Sequence, residues 1–308
     1  MNLAIPDVRT LEMHPPSFGY LKTSCRRSSG ASGRSELGVP LLLGAIRDAA
    51  ALGYNFLSIA GDQALAHPAL GSLCREAHRM NMLTTLTARG AALSARRLKP
   101  LTHSVDLLGV KFEADVAPSL ETVRRSGIPF AVVYPLTAAN MGEMEKAAAF
   151  AAARGAAMLN VRPVEELSDQ QMATVWMMVE CLRDMHRGEL AVQFEVLSRY
   201  DLPIESDDLD GWRAGLETDT RFLGELISPM VIEEDGTIVP LRHGFPRSLA
   251  LGNLRDGTMA ELASRWIHSG APNFCRIYRT VLRDARLFGD LPQLLAEQAG
   301  AASFSAAG

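Results

Sequence analysis

The sequence predicts an α/β fold of right-handed βα units, a parallel barrel or open sheet, followed by a small C-terminal hairpin-plus-helix extension. Short apolar runs alternate with amphipathic helix patterns as far as residue 200. An Asp-Gly turn between two apolar runs then indicates a hairpin, and a helix pattern follows it. A chain of 308 residues is long enough to bury the core of one barrel.

The predicted strands are short and nearly continuously apolar, as parallel strands covered on both faces are. They are Val8–Met13, Tyr54–Ala60, Met82–Thr87, Val105–Phe112, Pro129–Tyr134, Ala156–Val161 and Leu190–Leu197. The predicted helices lie between them, at Leu37–Leu52, His67–Met80, Ala91–Lys99, Ser119–Ser126, Asn140–Arg154 and Ser168–His186. The pattern alone also fits a full TIM barrel in which one unit is not visible.

Composition excludes several classes of function. The net charge is −4, so there is no basic field for nucleic acid or an anionic membrane. The four cysteines are dispersed and the histidines lack ligand spacing, which predicts no disulfide framework and no metal site. The longest apolar run is too short to cross a bilayer, and the N-terminus lacks a signal pattern, so we expect a cytoplasmic protein.

The stretch at 11–24, LEMHPPSFGYLKTS, resembles the opening of radical S-adenosylmethionine (radical SAM) enzymes. That family follows its first barrel strand with a C-x3-C-x2-C loop whose thiolates hold a [4Fe–4S] cluster. On this chain the three positions are Ser17, Leu21 and Ser24; a second frame with the same spacing is Cys25, Ser29 and Ser32. Either frame leaves at most one thiol at hand, and such clusters need several thiolates. The resemblance therefore implies a partial (βα)6 TIM-like barrel without its cluster.

A second resemblance follows the strand Tyr54–Ala60. The sequence GDQALAHPAL at 61–70 is similar to the family's G-G-E-P stretch and the histidine-proline helix start after it. In the family this turn meets the methionyl amine of S-adenosylmethionine, which implies that Gly61 and Asp62 form a degenerate cofactor-binding turn. The other reading is that Asp62 caps the turn that follows it. Whether intact S-adenosylmethionine binds stays open, and no other cofactor is expected.

The C-terminal part carries the third resemblance. Two apolar runs, Met230–Ile232 and Thr237–Leu241, flank an Asp235-Gly236 turn, and LGNL and a helix from Thr258 follow. This order resembles the SPASM/twitch extension of radical SAM proteins that modify peptides and natural products. Positions where that extension often has cluster cysteines are Ser228 and Leu241 here, so no auxiliary cluster is expected.

These resemblances divide the chain into four predicted segments. They are a radical-SAM-like partial barrel at 1–200, an acidic linker at 201–223, a degenerate SPASM-like extension at 224–297 and a disordered tail at 298–308. They also imply a function: a cluster-free binding or partner subunit in a peptide- or natural-product-modification pathway. Its partner is a peptide, a small metabolite or an active radical SAM enzyme, and neither nucleic acid nor a membrane is expected.

Polar residues near the predicted strand ends suggest an alternative, an enzyme that works without a cluster. They are His14, Ser17, Lys22, Asp62, Thr87, Arg89, Lys111, Glu113, Tyr134, Asn160, Arg162, Gln193 and Glu195. The catalytic candidates among these are Lys111 and Glu113, which alternate along one strand, and Glu195, which together with Arg162 could bind a carboxylate or orient a base. His243, in a loop that could cover the barrel mouth, is the fourth candidate.

Two further alternatives remain. Lys111–Glu113 and Arg162–Glu165 are structural ion pairs in the simpler interpretation, because the sequence shows no set of nucleophile, base and orienting group. The second alternative is a radical SAM enzyme with an unusual cluster site.

Overall fold

A computed structural model describes residues 17–18, 37–60, 64–196, 209–220, 223–233, 235–242, 244–284 and 290–305. The chain forms two compact units. We call them the hairpin unit (Met1–Ser58, Glu76–Leu83 and Leu197–Gly308) and the barrel unit (Ile59–Arg75 and Thr84–Val196). The boundaries expected at residues 200, 223 and 297 stay predictions.

The described residues contain ten strands and eleven helices. The strands are β1 (Ser17–Phe18), β2 (Phe56–Ala60), β3 (Leu83–Arg89), β4 (Leu107–Lys111), β5 (Phe130–Leu136), β6 (Met158–Pro163), β7 (Ala191–Phe194), β8 (Met230–Ile232), β9 (Thr237–Pro240) and β10 (Gly252–Asn253). The helices are α1 (Val39–Ala51), α2 (Leu70–Arg79), α3 (Ala95–Leu98), α4 (Ala117–Ser126), α5 (Met144–Ala153), α6 (Asp169–Met185), α7 (Leu209–Thr218), α8 (Leu223–Leu226), α9 (Met259–Ser269), α10 (Ala271–Asp284) and α11 (Leu291–Ser305).

The strands are ordered β10-β9-β8-β1-β2-β3-β4-β5-β6-β7 in one sheet. Strands β3 to β7 pair in parallel with their neighbours, and β1 pairs in parallel with β2 and β8. Strands β8, β9 and β10 pair antiparallel. The parallel strands with their helices make a partial TIM-like barrel, which confirms the predicted α/β class.

The core of the barrel unit lies between its strands and helices. Leu108, Val132 and Leu159 are fully buried, each 0% exposed, on three neighbouring strands. Trp176 of α6 packs edge to face on Phe194 of β7, with ring centroids 5.1 Å apart. The strands were predicted from these apolar residues.

Local signals set most helix ends as predicted. Ser168 caps α6: its hydroxyl accepts from the Gln171 amide, and the Gln171 side chain accepts from the Ser168 amide. Gly127, at φ 77°, ends α4 in the left-handed conformation that glycine adopts readily. The predicted helix Ala91–Lys99 is reduced to the single turn of α3, because Leu93 and Ser94 are extended and separate it from the 3-10 turn Gly90–Ala92.

The hairpin unit contains the predicted hairpin. Strands β8 and β9 pair Met230 with Pro240 and Ile232 with Ile238, and Gly236 has φ 88° in the turn. Helix α9 begins after Thr258, which forms a capping box with Glu261. The hairpin and the helix start are therefore confirmed.

The structure differs from the sequence prediction in three places. Strand β1 is Ser17–Phe18, where a loop was expected, and the predicted strand Val8–Met13 lies outside the described residues. Part of the predicted acidic linker is helix α7, whose Leu209 is 0% exposed. Part of the predicted disordered tail is α11, in which Ala299 is 1% exposed. In both helices a few buried side chains outweigh a composition typical of loops and tails.

Candidate functional site

Strand register in the barrel unit places a series of polar side chains on one face of the sheet. Paired residues on neighbouring strands point to the same side. Lys111 pairs with Arg89 and with Val133, and Asn160 pairs with Val133 and with Gln193. We call this side the inner face. Thr87, Gly109 and Arg162 lie on the same face.

Gly109 lies at the centre of the inner face, where a larger residue would collide with its neighbours. A Cβ atom there would lie 3.0 Å from Thr87 Oγ1 and 3.1 Å from Val133 Cγ2. Thr87 is buried, at 9% exposed, and its hydroxyl packs against Gly109. The sequence alternation indicated strand β4 but gave no sign of this close approach.

Glu195 is the centre of a hydrogen-bonded cluster at the ends of β6 and β7. Arg162 donates from Nε to Glu195 Oε2 at 2.8 Å and from Nη2 to Oε1 at 2.5 Å. Asn160 Nδ2 donates to Glu195 Oε2 at 2.7 Å. The structure thus brings Glu195 and Arg162 together, as the sequence suggested, and adds Asn160 as a third member.

The Asn160 carboxamide has one satisfied end and one unsatisfied end. Because its Nδ2 faces Glu195, its Oδ1 points elsewhere, and this oxygen is buried without a hydrogen bond. Leaving a buried acceptor unpaired costs about 1–3 kcal/mol. Gln193 lies directly opposite Asn160 on β7.

A second ion pair lies at the ends of β3 and β4. Arg89 Nε donates to Glu113 Oε1 at 2.8 Å, and both side chains are partly exposed. Glu113 therefore has Arg89 as a partner, where the sequence suggested Lys111. Glu165 accepts from the Ala138 amide at 2.6 Å. The carboxylates of the predicted ion pairs are thus present at the strand ends, with partners that sequence spacing did not identify.

Several predicted site residues are outside the described part of the chain. They are Leu21, Ser24, Gly61, Asp62 and His243. Ser17 is in β1, and its backbone alone is described. In the hairpin unit Leu241 is 4% exposed and has φ 66°, which places it in the buried loop after β9.

Two buried carboxylates were missed by sequence reasoning. Glu76, 6% exposed in α2, binds Arg47 and accepts from Arg79 Nη1 at 3.0 Å. The hydrogen bond from Arg47 is the largest cause that holds the pKa of Glu76 below its ordinary value. Glu233, 3% exposed after β8, binds Arg247 and accepts from the Gly244 amide at 2.6 Å. The sequence could have indicated that Glu76 is buried, because Glu76 shares a helix face with the apolar residues Leu73 and Ala77.

The thiols of the described residues are on helices. Cys74 is on α2, Cys181 on α6 and Cys275 on α10. Burial raises the pKa of the Cys74 thiol to about 12 and also raises the pKa of Cys275, whereas Cys181 is exposed. Among the residues that the structure describes, no three His, Cys, Asp or Glu side chains are grouped so that they could hold a metal ion.

Comparison with known proteins identifies the fold. No family model and no curated protein matches the chain. Streptococcus suis SuiB superposes with a TM-score of 0.58 at 11% sequence identity, covering 82% of this chain and 66% of SuiB. The enzyme anSMEcpe with bound AdoMet superposes with a TM-score of 0.54 at 16% identity, covering 85% and 81% of the two chains. Both are radical SAM enzymes.

The chain has a radical SAM-like fold. The chain spans just under two thirds of the length of SuiB. SuiB bound to its precursor peptide SuiA also superposes, with a TM-score of 0.53 at 12% identity. No helix among the described residues is both long and apolar enough to cross a membrane.

Proposed function

We propose that this chain is a cluster-free radical SAM-like protein that acts as a binding or partner subunit in peptide modification. One observation carries the proposal: the loop after the first strand supplies one thiol where a [4Fe–4S] cluster requires several. In radical SAM enzymes that cluster supplies the electron for reductive cleavage of S-adenosylmethionine. A scaffold without this electron source retains its capacity to bind.

The position of β1 bears on which residues correspond to the family's cysteines. Ser17 pairs with Phe56, and Phe18 pairs with Leu57 and Met230, so both belong to the sheet. A frame that starts at Ser17 would therefore place its first position within the strand. This supports the frame Cys25, Ser29 and Ser32 over the frame that starts at Ser17. Cys25 is then the one cysteine at the three positions of this frame.

The other three thiols are poorly placed to supply the further ligands that a cluster at Cys25 would need. Cys74 and Cys275 are buried within helices, and burial disfavours the thiolate form that binds iron. Cys181 lies on the exposed side of α6. The donor set therefore does not fit a [4Fe–4S] cluster.

A peptide is the ligand that we propose for the partial barrel. SuiB has been seen with its precursor peptide, and anSMEcpe with the Kp18Cys peptide. On this chain the inner face offers polar side chains at the strand ends, where ligands meet parallel α/β sheets. A small metabolite and an active radical SAM enzyme are the other outcomes of the binding test.

The paired state of the carboxylates favours this role over cluster-free catalysis by Lys111, Glu113, Glu195 and His243. Glu113 accepts from Arg89, and Glu195 accepts from Arg162 and Asn160. These hydrogen bonds occupy oxygens that a general base would need to reach its substrate. Turnover of a metabolite without reductant, lost in Glu195→Gln, would support the catalytic alternative.

Anaerobic reconstitution tests the proposal. The full chain is incubated with ferrous iron and sulfide, desalted, and assayed for bound iron and for iron–sulfur absorption. We expect no stoichiometric iron, and the same result for Cys25→Ser and for the control Cys181→Ser. A cluster that forms in the wild type and in Cys181→Ser but not in Cys25→Ser contradicts the proposal and supports an enzyme with an unusual cluster site.

Binding of intact S-adenosylmethionine is a separate question for the same protein. We propose Gly61 and Asp62 as its contact, because a carboxylate pairs with the methionyl ammonium group. Calorimetric titration of the wild type and of Asp62→Asn tests this contact. Equal heats for both proteins would exclude Asp62 and leave the cluster-free assignment unchanged.

A further inference from the structure

We infer that Asn160 and Gln193 form a carboxamide subsite on the inner face that binds the uncharged amide groups of a peptide backbone. This inference rests on the proposed peptide-binding function and assigns it to two side chains. Neither residue was a catalytic or cofactor candidate in the sequence.

The two carboxamides lie side by side. Asn160 on β6 and Gln193 on β7 are register partners, so both side chains leave the sheet on the inner face. Gln193 is partly exposed, and within the described part of the chain its carboxamide has no hydrogen-bond partner. It therefore has both a donor and an acceptor to offer a ligand.

Glu195 is a positioning residue for Asn160. It accepts from Asn160 Nδ2 at 2.7 Å, and Arg162 Nε holds the same carboxylate oxygen at 2.8 Å. This arrangement fixes which end of the carboxamide faces Glu195. Asn160 Oδ1 is left buried with no hydrogen bond, an acceptor that the described residues do not satisfy.

Charge balance indicates the class of ligand. The positive charge of Arg162 is matched by Glu195 across two hydrogen bonds, so this ion pair adds no net charge beside the two carboxamides. A peptide bond presents one N–H and one C=O, which match the acceptor and donor of a carboxamide. A backbone N–H of the bound peptide would give Asn160 Oδ1 the partner that it lacks among the described residues.

The test uses the full-length protein labelled with nitrogen-15 and two peptide probes. The first is N-acetyl-triglycine dimethylamide. The second is N-acetyl-trisarcosine dimethylamide, in which methyl groups replace the three backbone N–H donors and the carbonyls remain. Titrations are followed by the amide resonances of β6 and β7 and by the side-chain resonances of Asn160 and Gln193. The variant Gln193→Leu removes the free carboxamide, and Gln170→Leu on the exposed start of α6 is its control.

We expect the triglycine probe to shift these resonances and the trisarcosine probe to leave them in place. Gln193→Leu should weaken binding by about tenfold, as expected for the loss of one ligand hydrogen bond, and Gln170→Leu should bind as the wild type does. Equal shifts with both probes, or unchanged affinity in Gln193→Leu, would overturn the inference. Shifts elsewhere in the chain would overturn this subsite and leave the cluster-free assignment intact, which reconstitution with iron tests separately.

Discussion

Arginine–carboxylate contacts in this chain differ in how far they are buried, and burial decides whether a contact stabilises the fold or can also reach a ligand. Glu76 is almost fully buried against Arg47 and Arg79, whereas Glu195 and Arg162 keep 39% and 32% of their side chains exposed. Burial alone would raise the pKa of Glu76, but the hydrogen bond from Arg47 outweighs it. Glu76 is therefore a stabilising group, and Glu195 remains accessible to a ligand.

Replacing Glu76 with glutamine should lower the stability of the protein in a pH-dependent way. The folded-state pKa lies below the unfolded value of about 4.3, so the charged form stabilises the fold above that pH. This contribution is lost as the pH falls through the lowered pKa. The melting temperature of Glu76→Gln should be lower than that of the wild type near pH 7, and the difference should shrink as the pH falls below about 4.

The same experiment on a matched acid provides its control. Glu145→Gln changes an exposed carboxylate in the first turn of α5. It should alter the melting temperature little at either pH. A constant gap between Glu76→Gln and the wild type across the pH range would contradict the role given to Arg47.

Thiol labelling distinguishes the three described cysteines. With a pKa of about 12, the Cys74 thiol is ionised to roughly one part in ten thousand at pH 8, and it is also 0% exposed. We expect iodoacetamide to modify Cys181 within minutes in the native protein and Cys74 only after denaturation. Peptide mass spectrometry gives the order, and Cys181→Ser should remove the fast step. Modification of Cys74 as fast as Cys181 would contradict the burial of α2.

At the scale of elements, the sequence predicted the strands and helices of the barrel unit well because each has its own signal. Apolar runs, Gly127 after α4 and the Ser168 cap of α6 are local features. The inner face could be predicted only in part. Alternation placed polar residues near strand ends, but the pairing of Arg89 with Glu113 depends on register between strands, which no single segment encodes.

Gly109 offers a test of that register. In Gly109→Ala the added Cβ meets Thr87 Oγ1 at 3.0 Å and Val133 Cγ2 at 3.1 Å, both tighter than ordinary contact. Overpacking of this kind costs about 1–3 kcal/mol in unfolding free energy. Urea denaturation should detect this loss, whereas Gly142→Ala, where no atom lies within 4 Å, should be nearly neutral. Equal stability of the two variants would mean that β3, β4 and β5 pair in another register.

At the scale of the whole molecule, the radical SAM-like fold was predictable because its motifs follow one another in the family's order. What the sequence did not reveal was where the opening strand lies and how far the C-terminal helices extend. Strand β1 follows two prolines, and only its pairing with β2 and β8 identifies it as a strand. Helix α11 is rich in alanine and glycine, and its buried stripe is narrow.

Truncation measures what α11 contributes. Leu291 and Leu295 are both 0% exposed, and burial of each leucine is worth about 1.5–3 kcal/mol. A chain that ends at Asp290 should melt at lower temperature than one that ends at Ser305 and should bind a hydrophobic dye. The chain that ends at Ser305 serves as the control and should match the full-length protein. Identical melting of the two truncated chains would mean that the helix adds no stability.

The pairing of Phe18 with Met230 has a consequence for biosynthesis. The opening strand has one neighbour, β2, soon after it leaves the ribosome, but it gains the other only when residue 230 has been made. Contacts so distant along a chain slow folding, since the intervening segment must be ordered before they form. During translation the growing polypeptide therefore carries one unfinished sheet edge, a point at which a chaperone would have time to act.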